Sequence, residues 1–229
     1  MTYIENEINL LRFKVLDMAE LVQSQFERCI QSLKDTDYVT AANIIRKEKK
    51  IDKIDKKIDR RCERLIALYQ PVANDLRFIF SVIKINNNLE NIGDNLNAIA
   101  EIILKLSEPF PKEVLEKVKL FEMMELAFNQ YSDVINAFIR KENETARELI
   151  PNDNEIDEIK HSSVRVLIQM IKDNPQETET YLHLISILNR VEKIGDYAEN
   201  IAKEIVFSVE GKIYKREIDS DNSFEESEG

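Results

Sequence analysis

The sequence predicts an all-α protein made of two tandem antiparallel three-helix bundles. Three observations carry that expectation. Apolar residues recur at steps of three and four through most of the chain, the period of a helix with one buried face. Glycine and proline number only 4 and 5 in 229 residues, too few for the turns of a sheet protein. The second half also repeats the first. Residues 89–102, LENIGDNLNAIAEI, align with residues 191–204, VEKIGDYAENIAKE, which places Glu90 on Glu192, Gly93 on Gly195 and Asp94 on Asp196.

The first helix is marked by Ile4, Ile8, Leu11, Val15, Met18, Val22, Phe26, Ile30 and Leu33, a stripe of about 30 residues and about 45 Å. Lys34-Asp35-Thr36-Asp37 interrupts it, and Asp37 is the expected N-cap of the second helix. There Ile44, Ile51, Ile54, Ile58, Cys62 and Leu65 supply the core face, with a line of acids, Glu48, Asp52, Asp55 and Asp59, beside it. Gln70-Pro71 closes this helix, because a proline removes a donor and restrains the residue before it. The third helix is expected from near Val72 to about Ser107 and contains the first copy of the repeated stretch.

Pro109 and Pro111 divide the halves, giving expected units of residues 1–108 and 109–210. Val114, Val118, Phe121, Phe128, Ile135 and Phe138 predict one continuous fourth helix. Lys141-Glu142-Asn143 turns into a fifth, which Pro151 should kink or restart. Asn174-Pro175 turns into a sixth, carrying the second copy. Residues 211–229 are polar and end in Asp219, Asp221, Glu225, Glu226 and Glu228, and are expected to form a disordered acidic tail. The third and sixth helices align at an offset of 102 residues, the second and fifth at 105. Connections this short leave room only for antiparallel neighbours.

A formal net charge of −11 repels polyphosphate backbones and argues against nucleic acid as a direct partner. Cations and basic protein surfaces suit the chain better. Cys29 and Cys62 lie on apolar stripes without a metal-binding or redox spacing, as buried free thiols do. The start, MTYIENEINLLRF, lacks the basic and apolar regions of a secretory leader, and no run reaches the length of a membrane span. The expectation is a soluble cytoplasmic protein.

The chemistry lies in four carboxylate pairs spaced four apart: Glu48/Asp52, Glu90/Asp94, Asp153/Asp157 and Glu192/Asp196. Each pair shares one helix face, and like charges there repel unless a cation neutralises them. With 43 acidic residues in the chain, one such pair is ordinarily a solvated face. Four pairs at matched positions, two per half and on neighbouring helices, converge instead into a carboxylate cluster in each half, suited to a hard metal ion. Asp55, Asp59, Asn97, Glu199 and His161 are candidate additional ligands. Glu158 and His161 form a single Glu-x-x-His unit, where di-iron bundles need two. There is no Gly-rich phosphate loop, no His-Glu-x-x-His and no nucleophile with an evident base, so catalysis is not expected.

Residues 70–101, QPVANDLRFIFSVIKINNNLENIGDNLNAIAE, resemble the signature of PhoU proteins, and residues 188–205, LNRVEKIGDYAENIAKEI, resemble its second copy. The resemblance spans about residues 1–210, and departs where Thr178 and Glu179 replace Leu76 and Arg77. It implies a cytoplasmic accessory protein of the phosphate-specific ABC transporter, peripheral to the inner face of the membrane. Such a protein would connect the transporter to a sensor histidine kinase and hold the phosphate-starvation response off. It further implies a homodimer and carboxylate-bound metal ions, iron or zinc before manganese, magnesium or calcium. The implied ligands are Glu48, Asp52, Glu90, Asp94, Asp153, Asp157, Glu192 and Asp196.

Overall fold

The computed structural model describes residues 3–150 and 154–211. The chain order is α1 (Tyr3–Asp35), α2 (Tyr38–Tyr69), α3 (Ala73–Lys105), α4 (Lys112–Lys117), α5 (Leu120–Arg140), α6 (Asn143–Leu149), α7 (Asn154–Asp173) and α8 (Thr178–Glu210), with a 3-10 turn at Pro175–Glu177 before α8. Among the described residues there is no strand, as the composition predicts. The expected acidic tail falls almost wholly outside the described residues.

The boundaries follow local chemistry. Asp37 caps α2 by accepting from the Val39 and Thr40 amides at 2.9 and 3.1 Å, which satisfies donors at the open helix end. Gln70, in the left-handed region at φ 46°, stops α2, and its N–H donates to the Ile66 carbonyl at 3.2 Å. α6 ends at Leu149 and α7 begins at Asn154; Pro151, where a kink or restart is expected, lies outside the described residues.

The expected single fourth helix is two, α4 and α5, broken at Lys119 with φ 47°. No glycine or proline announces this break. Its reason is packing: Val118 and Leu120 are both fully buried, yet two positions apart on one helix they would face about 200° apart. Breaking the helix lets both enter the core, and the Ser163 hydroxyl donates to the freed Val118 carbonyl at 2.7 Å.

α3 and α8, the two copies of the repeated helix, share the most extensive contact in the molecule. α1 and α2 complete a three-helix layer around α3, while α5 and α7 do so around α8, with α6 laid along α8. One continuous core runs through both halves. Polar anchors cross it as well. The Tyr131 hydroxyl on α5 donates to the Ala19 carbonyl on α1 at 2.7 Å. Arg12 lies against both Phe78 and Phe138, 4.5 and 5.0 Å from their ring centroids, and donates to the Phe138 carbonyl at 3.2 Å. Cys29 and Cys62 are buried and unbridged, and burial pushes both thiols up to about 12.

Because Tyr131 is fully buried, Tyr131→Phe removes a hydrogen bond and leaves the Ala19 carbonyl without that donor. The expected loss is about 1–2 kcal/mol in folding free energy, read as a lower urea midpoint with unchanged slope.

Candidate metal centre

The seam between α2 and α3 brings the first carboxylate set together. Gly93 leaves the helices room to pack closely: a Cβ there would stand 2.9 Å from Ile51 Cδ1, so the tip of that side chain would have to yield, and a larger side chain would meet the rest of Ile51. Ile51 lies between Glu48 and Asp52 on α2, and Gly93 beside Asp94 on α3, so the close approach and the acids share one place. Farther along, the buried Asn86 side chain donates to Asp55 Oδ1 at 2.7 Å and Asp59 Oδ1 at 2.9 Å. These contacts set the register and lay Glu90 and Asp94 alongside Glu48, Asp52 and Asp55.

The charges feel one another strongly. Burial first, then Asp94, Asp55, Asp52 and Glu48, push the Glu90 carboxyl up to about 7. Glu48 is raised by burial, by a hydrogen bond with Asp52 and by the charges of Asp52 and Asp94. Asp94 is raised by burial and by Asp52, against an opposing pull from Arg190 on α8. Asp55 is raised by burial, Asp59 and Asp52, with Lys56 and the Asn86 hydrogen bond opposing. The nearby cations are thus outweighed, and the seam holds excess negative charge in a half-dry place.

The second half treats its acids differently. Lys160 on α7 stands at the aligned position of Asp55 and pairs with Glu192 on α8 at 2.6 Å, both side chains less than one-fifth exposed. Glu199, the counterpart of Asn97, is buried and paired with Lys203 at 2.6 Å. Asp157 and Asp196 are half-buried on α7 and α8, and Asp153 lies outside the described residues. His161 is exposed, and Asn97 donates to Glu101 at 3.1 Å.

Among the described residues, no three His, Cys, Asp or Glu side chains stand close enough to hold a metal ion as they are. The donor set of the first seam nevertheless fits one chemically. It is all oxygen, carboxylate-rich and short of cation, as hard divalent ions require. Sequence reasoning missed one residue, Asn86, and one pairing, that of Lys160 with Glu192. Asn86 precedes Glu90 by one helical turn on the same face, which was a usable signal. Lys160 was visible as the residue opposite Asp55 in the repeat alignment, but its pairing with Glu192 depends on the α7–α8 packing.

Comparison with known proteins covers nearly the whole chain. The family model described as "PhoU domain" matches twice, over residues 15–103 and 120–205. The chain is 30% identical over 214 residues to the "Phosphate-specific transport system accessory protein PhoU homolog 1" of Thermotoga maritima, covering 93% of this chain and 91% of that one. It is 32% identical to the Aquifex aeolicus PhoU homolog, covering 92% and 95%. In structure it is similar to PhoU from Pseudomonas aeruginosa, with a TM-score of 0.85, 27% identity and coverage of 91% and 99%. A regulatory PhoU protein from Streptococcus pneumoniae gives a TM-score of 0.83 at 26% identity, covering 93% and 99%.

Two outcomes follow from the first seam. Gly93→Ala is tolerated, since only the end of the Ile51 side chain must move. Gly93→Leu overfills the seam and costs about 1–3 kcal/mol, measured by thermal unfolding of the two variants side by side. The second concerns pH in chelator-treated protein. Glu90 rises from an ordinary 4.5 to about 7 in the folded state, so the unfolded chain releases this proton first. Its stability contribution is full below about 4.5, is lost as pH rises to about 7 and is constant beyond. Urea midpoints of wild type decline across that window, and Glu90→Gln flattens the decline.

Proposed function

This chain belongs to the PhoU family, and from that membership we propose that it is an accessory protein of the phosphate-specific transport system whose α2–α3 seam is a metal-binding regulatory site. The observation that supports this reading is the gathering of carboxylates at the seam, Glu48, Asp52, Asp55 and Glu90 half-buried with Asp94 exposed at the edge, which raises Glu48, Glu90 and Asp94 above their ordinary range. Glu48, Asp52, Glu90 and Asp94 would hold the ion. Bound there, it supplies positive charge that the seam lacks and a Lewis-acidic point at which a phosphate oxygen can be met. The protein's own part is to bring α2 against α3 through Gly93 and Ile51, and to keep water partly away from the acids.

Within the repeat, the second set Asp153, Asp157, Glu192 and Asp196 belongs to the same proposal, but the two sets are not equal. Lys160 already meets Glu192, so the first seam has the stronger demand for a metal. Iron or zinc is the ion proposed, by likeness to the family. The function is regulatory binding rather than catalysis. In the cell the protein would work as a homodimer at the inner face of the membrane. It would pass the state of the ABC transporter to a sensor histidine kinase and restrain the phosphate-starvation response when phosphate is plentiful. No helix among the described residues is long and apolar enough to cross a membrane.

Elemental analysis tests the site. Protein purified without chelator should carry stoichiometric iron or zinc, and the double variant Glu90→Ala, Asp94→Ala should lose the metal of the first seam. The same two proteins, used as bait on membranes from phosphate-rich cells, should differ in their capture of transporter and kinase. Equal metal content in both proteins refutes the site, and equal capture refutes its regulatory role.

A further inference from the structure

The solvent face of α2 carries a feature that the chain's net charge conceals. α2 contains ten basic and five acidic residues, a net +5, within a chain of −11, so the remainder carries −16. Its basic residues are not scattered. Arg46, Lys49, Lys53, Lys56, Arg60 and Arg64 follow one another at steps of three and four, and all are exposed. Such spacing keeps one helix face, here opposite Ile44, Ile51, Ile58 and Leu65 in the core. Lys50 and Lys57, also exposed, widen the line on one side. From Arg46 to Arg64 it runs about 27 Å. α2 therefore has three longitudinal stripes: apolar into the core, acidic against α3, basic to solvent.

We propose that this basic face of α2 docks the protein on an anionic phospholipid surface. The composition of the face favours lipid over an acidic protein. Lysines predominate among its cations and no aromatic residue lies between Arg46 and Arg64. Protein–protein interfaces are depleted in lysine and enriched in aromatic residues and arginine, whereas a bilayer offers diffuse charge that hydrated ammonium groups meet without fixed geometry. The line ends in exposed apolar side chains, Val39 at 73% and Leu68 at 60% exposure, suited to the headgroup boundary. The acidic remainder is repelled by the same surface, so the molecule is oriented with α2 toward it.

At the C-terminal end of the line the face opens into a cavity of about 280 Å³, lined by Glu7, Arg60, Arg61, Arg64, Leu65 and Tyr69. Glu7 holds Arg61 at 2.7 Å, and the buried Arg61 Nε has no hydrogen-bond partner among the described residues. Three guanidinium groups against one carboxylate leave a positive recess that a headgroup phosphate can enter.

The test is co-sedimentation of the full chain, stripped of metal, with phosphatidylcholine vesicles with and without phosphatidylglycerol. It needs neither metal nor transporter, so its failure leaves the regulatory reading standing, and the failure of that reading leaves this one standing. Wild type should bind only the anionic vesicles and be released by salt. The triple variant Lys53→Glu, Lys57→Glu, Arg60→Glu should bind at least about 100-fold more weakly. The charge-matched variant Lys112→Glu, Lys117→Glu, Lys172→Glu, altered at exposed positions on α4 and α7, should bind like wild type. The proposal is overturned if wild type ignores anionic vesicles, if both variants lose binding equally, or if an acidic protein but not lipid retains the chain.

Discussion

The packing of α3 on α8 is the contact from which the other helices take their places. Both helices are 33 residues long and apolar around much of their circumference, so neither is stable as a surface helix. Each buries one side against the other and a second side against its own half's companions. That arrangement explains why the core is continuous across the internal repeat, although the sequence divides so visibly at Pro109 and Pro111. The crossing contacts of Arg12 with Phe78 and Phe138, and of Tyr131 with Ala19, reinforce a junction already made by apolar burial.

Charge is then sorted on the outer helices, most clearly on α2. A helix with a single apolar stripe leaves about two-thirds of its circumference for other purposes, and α2 divides that remainder by sign. Its acids Glu48 and Asp55 lie toward α3, where burial and neighbouring carboxylates raise both above their ordinary range. Its bases lie toward solvent. Opposite charges so arranged on one rod of about 10–12 Å diameter partly offset each other at long range, while each face retains its own local field. A net charge read over the whole chain averages this pattern away.

Much of the fold was legible because helical periodicity, proline breaks and an internal repeat are all local signals. Asp37 as a cap and Gln70-Pro71 as the end of α2 could be read from neighbouring residues alone. The division of the fourth helix could not, because Val118 and Leu120 break it through the core they enter, and that core belongs to distant helices. The acid seam was legible in outline from the matched pairs. The basic stripe was equally periodic but hidden by the chain's negative total. The pairing of Lys160 with Glu192 needed the α7–α8 register, which repeat alignment only approximates.

Lys160 also gives the duplicated site a difference in kind. If the first seam takes up an ion as proposed, its stability would vary with ion supply, by an amount that grows logarithmically with free ion above its dissociation constant. A seam with a covalently attached ammonium carries its counter-ion at fixed stoichiometry, whatever the surroundings contain. On that proposal, one chain would hold a responsive arm and a more constant arm on either side of the same α3–α8 junction. A change in cation level would then alter the balance between the halves as well as the state of one of them, and any surface spanning both would register a difference instead of an absolute amount.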